Sequence, residues 1–353
     1  MTVVASKLSQ VYPHLVEHLS DAEREYLAAL LVLRRADEGD ELITYGEVSD
    51  SLFMVAEGDV IVSLPSEGGQ VDLGRRGAGR WVGELGMIEP GPASATVRAG
   101  SDATLWVLTN EAFQRMRKEN PCCGAAIMEQ VSKDIATRLR TCNKVLFRAG
   151  DGGQIEMVPS QEAPEGVVSK LIHQIKDLFD LGQATPSGGA APTRPTKAGM
   201  SLKTFLGQHD SFGVMSEEDQ DHMIQACEVR EFPDGHALIR EGDHRDNVYF
   251  ILDGLVEVQV RKPKDASFAV DRLMGPGEIV GLIALVDRGR RSATCSARGP
   301  VKVAALSLEG ANLLVNTRAR ISCAFQYALA EQLAHDARSL NESLLHAAAH
   351  PEG

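Results

Sequence analysis

Two stretches of the chain alternate short apolar runs with glycine and aspartate. The runs at 52–55 (LFMV) and 248–251 (VYFI) are typical, and each is followed within a few residues by Gly and by further alternating apolar positions. Alternation at a period of two predicts short strands that turn one face toward a core. The close spacing of the turn residues favours a small antiparallel barrel, so we predict a jelly roll (a double-stranded β-helix) in each stretch.

The two β-rich stretches match each other in sequence. GDELITYGEVSDSLFMVAEGDVIV at 39–62 aligns with DGHALIREGDHRDNVYFILDGLVEV at 234–258, first at a spacing of 196 and, after the next hairpin, at 198. The match extends over more than 50 residues, which is enough for each copy to bury its own core, so we infer a duplicated domain rather than a solenoid repeat. The aligned pairs are Gly46 with Gly242, Gly58 with Gly254, Gly79 with Gly277, Gly83 with Gly281, and Ala95 with Ala293.

Helical periodicity brackets both barrels. Apolar residues recur every three or four positions over 8–32 and from Asn110 to about Val145, before and after the first barrel. The fold class is therefore mainly β with flanking helices: two tandem jelly-roll barrels, each bracketed by α-helices. The helix that closes the second copy carries a long apolar stripe at Ile321, Phe325, Leu329, Leu333, Leu340 and Leu344.

Composition divides the chain into two domains and a connection. We predict a first domain at 1–147, a connection at 148–200 and a second domain at 201–353. Within the connection, GVVSKLIHQIKDLFDLG at 166–182 predicts an amphipathic helix, which could dock on the first domain or on a partner. The segment 183–199 is rich in Gly, Ala, Pro and Thr, a composition that predicts a flexible linker.

Charge and cysteine usage narrow the class of protein. The formal net charge of −13 opposes general attraction to nucleic acid or to an anionic membrane, and we expect neither partner. No apolar run is long enough to span a bilayer and the N-terminus does not resemble a signal peptide, so we expect a cytoplasmic protein. The six cysteines form no CxxC pair or metal-ligand cluster, and we expect reduced thiols without zinc or disulfides.

One short motif in each copy carries candidate chemistry. GELGMIEPGPASATV at 83–97 opens with a tight Gly turn whose backbone amides could face an anion, and GLIALVDRGRRSATC at 281–295 is its counterpart. With these motifs, both copies resemble cyclic nucleotide-binding domains, over most of 24–145 and 215–345. That resemblance implies a phosphate-binding cassette in which a Glu accepts a hydrogen bond from the ribose 2′-hydroxyl. It also implies that an Arg pairs with the cyclic phosphate.

Each cassette departs from the family pattern at a different position. In the first, Ala93 stands where the family has Arg; in the second, Leu282 stands where it has Glu. Loss of the charged phosphate contact costs about 1.5–3 kcal/mol, whereas an apolar Leu merely fails to satisfy a hydroxyl. The second cassette is therefore the better candidate for cyclic AMP or cyclic GMP. The candidate binding residues are Gly83, Glu84, Leu85, Ser94 and Ala95 in the first cassette, and Gly281, Ile283, Arg291, Ser292 and Ala293 in the second.

Other arginines lie near the two cassettes in sequence. Arg98 has the opposite strand parity to Ala93, so we predict that it points to the other face. Arg290, next to Arg291, is predicted to be a solvated neighbour, although a slip of one residue would let either reach a phosphate. Two further arginines, Arg75 and Arg76, lie in a Gly-rich stretch at 74–80 that predicts a solvated turn.

These features favour a non-enzymatic regulatory or adaptor protein that acts through protein partners. The sequence contains no catalytic motif, and only about 30 residues follow Phe325, so we expect no helix-turn-helix DNA reader. The helices at 166–182 and 321–345 are compatible with a homodimer. The main alternative is a scaffold whose cassettes no longer bind a nucleotide; an enzyme acting on nucleotides would need an acid/base or metal set.

Overall fold

The computed structural model describes residues 2–66, 69–150, 199–243, 247–261, 268–282, 291 and 293–349. The chain divides into two compact units, Met1–Gln183 together with Ala330–Gly353, and Ala184–Leu329. The predicted helix at 166–182 lies outside the described residues, as does the predicted linker 183–199 apart from Gly199.

The first unit begins with helices and continues into strands. Its helices are α1 (Val3–Val11), α2 (Pro13–Val16), α3 (Asp21–Leu30), α4 (Glu84–Ile88), α5 (Asn110–Glu119) and α6 (Pro121–Gly150). Its strands are β1 (Val32–Ala36), β2 (Glu41–Ile43), β3 (Val48–Ser49), β4 (Ser51–Glu57), β5 (Asp59–Ser66), β6 (Gly69–Gly77), β7 (Trp81–Val82), β8 (Gly91–Pro92), β9 (Thr96–Ala99) and β10 (Ala103–Thr109).

The strands of the first unit form a barrel from two antiparallel sheets. One sheet has the order β1-β10-β4-β7, the other has the order β2-β9-β5-β6, and β3 pairs with β8. Alternate residues of both sheets turn inward, as the period of two predicts. The apolar core draws Phe53 and Val55 from one sheet, and Val60, Val97 and Ala99 from the other.

The second unit repeats this plan of helices and strands. Its helices are α7 (Leu202–Gln208), α8 (Glu217–Ala226), α9 (Leu308–Thr317) and α10 (Ala319–Ala349), of which α10 continues into the segment that groups with the first unit. Its strands, β11 (Cys227–Phe232), β12 (Ala237–Ile239), β13 (Asn247–Arg261), β14 (Phe268–Met274), β15 (Ile279–Val280) and β16 (Thr294–Ser307), form a network in which β13 pairs with β14, β15 and β16.

The backbone confirms the duplicated register. Gly58 and Gly254 show why the pairing requires glycine, since a Cβ on either would lie 2.3 Å from a main-chain oxygen, of Asp102 and Pro300 respectively. The aligned glycines adopt the same left-handed conformation: φ is 79° and 81° at Gly46 and Gly242, 75° and 80° at Gly58 and Gly254, 82° and 97° at Gly79 and Gly277, and 82° and 92° at Gly83 and Gly281.

Three predicted elements differ from the structure. The helical pattern at 8–32 is three helices, because Pro13 starts a new helix and the capping box of Ser20 and Glu23 starts α3. The pattern from Asn110 to about Val145 is likewise divided, at Asn120 before Pro121.

The predicted turn at 74–80 is also wrong over most of its length. Its first residues extend β6, whose Arg75 and Arg76 pair with Ile61 and Val60 of β5. Arg75 Nη1 donates to the carboxylate of Asp59 at 2.7 Å. Gly74 and Gly77 are themselves paired residues of the strand and do not form a loop.

Candidate functional site

The first cassette starts at a tight turn between β7 and α4. Gly83 is the residue before α4, and its φ of 82° brings its Cα so close to β4 that a Cβ would lie 2.4 Å from the carbonyl oxygen of Ser51. All five residues of α4 are buried, including the carboxyl-bearing Glu84, which is 4% exposed. Asn110 Nδ2 donates to the Met87 carbonyl at 2.7 Å and ties α4 to the start of α5.

Ala93 closes the first cassette against the barrel. Its amide donates to the Glu47 carbonyl at 2.7 Å, and its carbonyl accepts from the Gly46 amide at 2.9 Å. Its methyl group packs against the apolar core of the barrel. The position predicted to lack a cation is therefore occupied by a small apolar contact.

Arg291 has the same backbone environment in the second cassette. Its amide donates to the Asp243 carbonyl at 3.1 Å, and its carbonyl accepts from the Gly242 amide at 2.9 Å. The guanidinium donates through Nη1 to the Gly281 carbonyl at 3.0 Å and through Nη2 to the Asn247 carbonyl at 2.7 Å. Arg291 is 7% exposed, so its charge is held by main-chain acceptors inside the unit.

The other residues predicted for the two cassettes are only partly comparable. Glu84 and Leu282 are both buried, at 4% and 2% exposure, so each copy turns this side chain inward. In the first cassette Leu85 is buried and both Ser94 and Ala95 are half-buried. In the second, Gly281 and Ala293 are half-buried, whereas Ile283 and Ser292 lie outside the described residues.

The prediction for Arg98 is confirmed. Val97 and Ala99 belong to the barrel core, and Arg98 between them points to the opposite face. There its Nη2 donates to both carboxylate oxygens of Asp72, at 3.0 and 3.1 Å. Arg290, the neighbour of Arg291, lies outside the described residues.

Sequence reasoning missed the acceptors that hold Arg291. These are the main-chain carbonyls of Gly281 and Asn247. Every residue has such a carbonyl, so the type of residue does not identify it as an acceptor. The duplicated register was the available signal. It aligns Asn247 with Ser51, whose carbonyl lies in the same close approach to the cassette glycine.

The family comparison agrees with this duplicated architecture. A family model described as the cyclic nucleotide-binding domain matches residues 33–120 and 229–318, one match for each barrel. The chain belongs to this family. The first matched segment contains most of β1, the first cassette turn and α5. The second contains most of β11, the second cassette turn and α9.

Two relatives of the chain are a kinase regulatory subunit and an enzyme. A cAMP-dependent protein kinase regulatory subunit of Mycosarcoma maydis is 34% identical over 123 residues, which is 34% of this chain and 23% of that protein. Glutaminase 1 of Bradyrhizobium diazoefficiens is 33% identical over 129 residues, or 36% of this chain and 20% of that enzyme. The chain thus matches about a quarter or less of either relative.

A solved structure matches over nearly the whole chain. The regulatory domain of Toxoplasma gondii PKA, solved with cAMP, is 16% identical and has a TM-score of 0.33, with 95% of each chain covered.

Other features of the described residues lie outside the predicted cassette residues. Among them no group of three or more His, Cys, Asp or Glu side chains could hold a metal ion. No helix in the described ranges is both long enough and apolar enough to cross a membrane. An open cavity of about 380 Å³ in the second unit is lined by residues including Arg240, Glu241 and Gln259, and by none of the predicted cassette residues.

Five cysteines are free thiols. They are Cys122, Cys123, Cys227, Cys295 and Cys323. Burial raises the pKa of Cys295 to about 11, although the nearby charge of Arg291 acts in the opposite direction. A thiol with so high a pKa is a poor nucleophile at neutral pH, so Cys295 serves as a packing residue of the barrel core.

Proposed function

We propose that the chain is a regulatory or adaptor protein whose second cassette binds cyclic AMP or cyclic GMP and whose output is a change in its contacts with another protein. The observation that carries this proposal is the buried guanidinium of Arg291, held by two main-chain carbonyls at the end of the cassette. A buried, oriented guanidinium is suited to a cyclic phosphodiester, because its fork matches the two phosphate oxygens and its charge is never titrated away.

The two cassettes are assigned different roles. Arg291 supplies the phosphate contact of the second, where Leu282 gives the ribose an apolar neighbour. The first retains the buried carboxyl of Glu84, but Ala93 contributes only packing at the phosphate position. Since a charge-assisted hydrogen bond contributes about 1.5–3 kcal/mol, the Arg291 contact alone strengthens binding at the second cassette by roughly 10- to 150-fold.

The output is assigned to a protein partner. Support comes from the similarity to a kinase regulatory subunit and from the described residues, which contain no metal cluster. Ligand occupancy would shift α9 and α10 between two positions and so expose or hide a surface for the partner. Under this proposal the protein is not an enzyme, functions in the cytoplasm and is compatible with a homodimer.

Thermal unfolding with and without nucleotide tests the proposal. Calorimetric scans of the full chain in millimolar cyclic AMP or cyclic GMP should raise the melting temperature of one transition, because a ligand that binds only the folded state stabilises it by mass action. 5′-AMP, which has no cyclic phosphodiester, serves as the control. The alternative is an assembly scaffold with inactive cassettes, and it predicts no shift with any of the three nucleotides.

A further inference from the structure

The first cassette contacts an arginine that is remote in sequence. Arg338 lies in α10, within the segment Ala330–Gly353 that groups with the first unit. Its Nη2 donates to the carbonyls of Leu85 and Glu89, at 3.1 and 2.8 Å, and its Nη1 donates to the carbonyl of Pro92 at 2.9 Å. One guanidinium thus connects three carbonyls of the cassette.

These carbonyls lie at the C-terminal end of α4 and in the strand that follows it. Leu85 is in α4, Glu89 is the residue that ends it, and Pro92 is in β8. The Leu85 carbonyl also accepts from the Glu89 amide, whereas the carbonyls of Glu89 and Pro92 lie beyond the helix. The carbonyls at the end of a helix carry the negative end of its dipole. A cation with several fixed donors suits this position, and the Glu89 carboxylate adds charge at 3.8 Å from Nε.

The contact involves the cassette that lacks its own arginine. In the second cassette Arg291 joins the Gly281 turn to the main chain of Asn247, whereas Ala93 makes no such connection in the first. Arg98, the nearest arginine in sequence to Ala93, is paired with Asp72. Arg338 is only 19% exposed, so its hydrogen bonds are shielded from water.

We propose that Arg338 orders the first cassette without a nucleotide, so that this cassette is a docking site for the chain's own C-terminal segment. The hydrogen bonds of Arg338, here called the Arg338 bridge, connect the end of α4 with β8. This role does not depend on nucleotide binding at the second cassette.

Amide hydrogen exchange of the full chain, measured without nucleotide, tests the docking role. In Arg338→Ala, peptides that cover 83–92 should exchange at least about 10-fold faster than in the wild type, because the bridge that limits local opening is gone. Arg320→Ala is the matched control, since Arg320 lies in the same helix but donates to the Val214 carbonyl of the second unit at 3.0 Å. It should leave 83–92 unchanged.

Exchange in β4 separates a local effect from general unfolding. A rise at 83–92 with β4 (Ser51–Glu57) still protected supports the proposal. If β4 also loses protection, Arg338→Lys distinguishes the two explanations, because lysine keeps the positive charge but lacks the forked donors of the guanidinium. A rise confined to 83–92 in that variant supports docking. Wild-type exchange at 83–92 in Arg338→Ala, or in the deciding Arg338→Lys, overturns the proposal.

Discussion

Ala93 and Arg291 occupy the same backbone position in two copies of one barrel. The aligned glycines are Gly46 in the first copy and Gly242 in the second. In each copy the amide of Ala93 or Arg291 donates to the carbonyl of the residue after that glycine, and the carbonyl accepts from the amide of the glycine itself. The two cassettes therefore differ here in the side chain and not in the path of the chain. This difference is the basis for assigning nucleotide binding to the second cassette.

Arg291 should stabilise the second unit in the absence of a ligand. Arg291→Ala leaves the Gly281 and Asn247 carbonyls without their charged donors, and we expect it to lower the free energy of unfolding by about 2–4 kcal/mol. Urea unfolding followed by far-UV circular dichroism measures the loss. Arg298→Ala is the control: the side chain of Arg298 is 60% exposed beside Glu257, so its removal should change stability by less than about 0.5 kcal/mol. Equal losses in the two variants would contradict the assignment.

Ala93→Arg should restore a phosphate contact in the first cassette. The duplicated register places the carbonyls of Gly83 and Ser51 where those of Gly281 and Asn247 hold Arg291. We expect affinity for the cyclic nucleotide at the first cassette to rise by roughly 10- to 150-fold, as measured by equilibrium dialysis. Ala93→Gln adds bulk and polarity without the charge and should give no such gain. Unchanged affinity in Ala93→Arg would mean that the pocket itself has closed.

Gly83 should be far less tolerant of a side chain than Gly39. Both have positive φ, 82° and 91°, but a Cβ at Gly83 would lie 2.4 Å from the Ser51 carbonyl, and one at Gly39 would meet nothing within 4 Å. We expect Gly39→Ala to cost about 1–2 kcal/mol of backbone strain and Gly83→Ala at least about 3 kcal/mol. The two tryptophans, Trp81 and Trp106, both lie in the first barrel, so urea unfolding by tryptophan fluorescence reports on this unit. Similar losses would show that the approach to Ser51 is not restrictive.

Asp219 should make the second unit sensitive to acid. Burial raises the pKa of Asp219, but hydrogen bonds from Ser216 and Arg318 outweigh it, so the pKa lies below its usual range. The stabilisation is complete above the unfolded-state pKa of about 4 and is lost as the pH falls through the lower folded-state value. Asp219→Asn should therefore cost about 1 kcal/mol at pH 7, and the difference from the wild type should shrink as the solution is acidified below about pH 4.

Urea unfolding at neutral and acidic pH measures the Asp219 effect. Asp221→Asn is the control, because Asp221 lies in the same helix but is exposed to solvent. A cost for Asp219→Asn that stays constant between neutral and acidic pH would contradict the linkage.

The sequence was sufficient to predict the barrels and their register. Turn glycines such as Gly58 and Gly254 mark positions where only a residue without Cβ fits, so their spacing records the duplication directly. The apolar alternation around Phe53 and Tyr249 also records a local property, namely which side of each strand faces the core. Fold class and the position of each cassette followed from these local signals.

Other features depend on contacts that are distant in sequence. The run that includes Arg75 and Arg76 is Gly-rich and resembles a turn, yet pairing with Val60 and Ile61 extends it as a strand. The hydrogen bond from Arg338 to Leu85 joins residues 253 positions apart and uses a main-chain acceptor, so no pattern of residue types predicts it. The domain limits 1–147 and 201–353 stay a prediction.

Isothermal titration calorimetry of the full chain with cyclic AMP and cyclic GMP is the most direct test of the division between the cassettes. We predict one site per chain for at least one of the two nucleotides. Arg291→Lys, which keeps the charge but not the planar fork, should weaken that site by at least about 10-fold. No heat with either nucleotide, two equivalent sites, or wild-type affinity in Arg291→Lys would contradict the account.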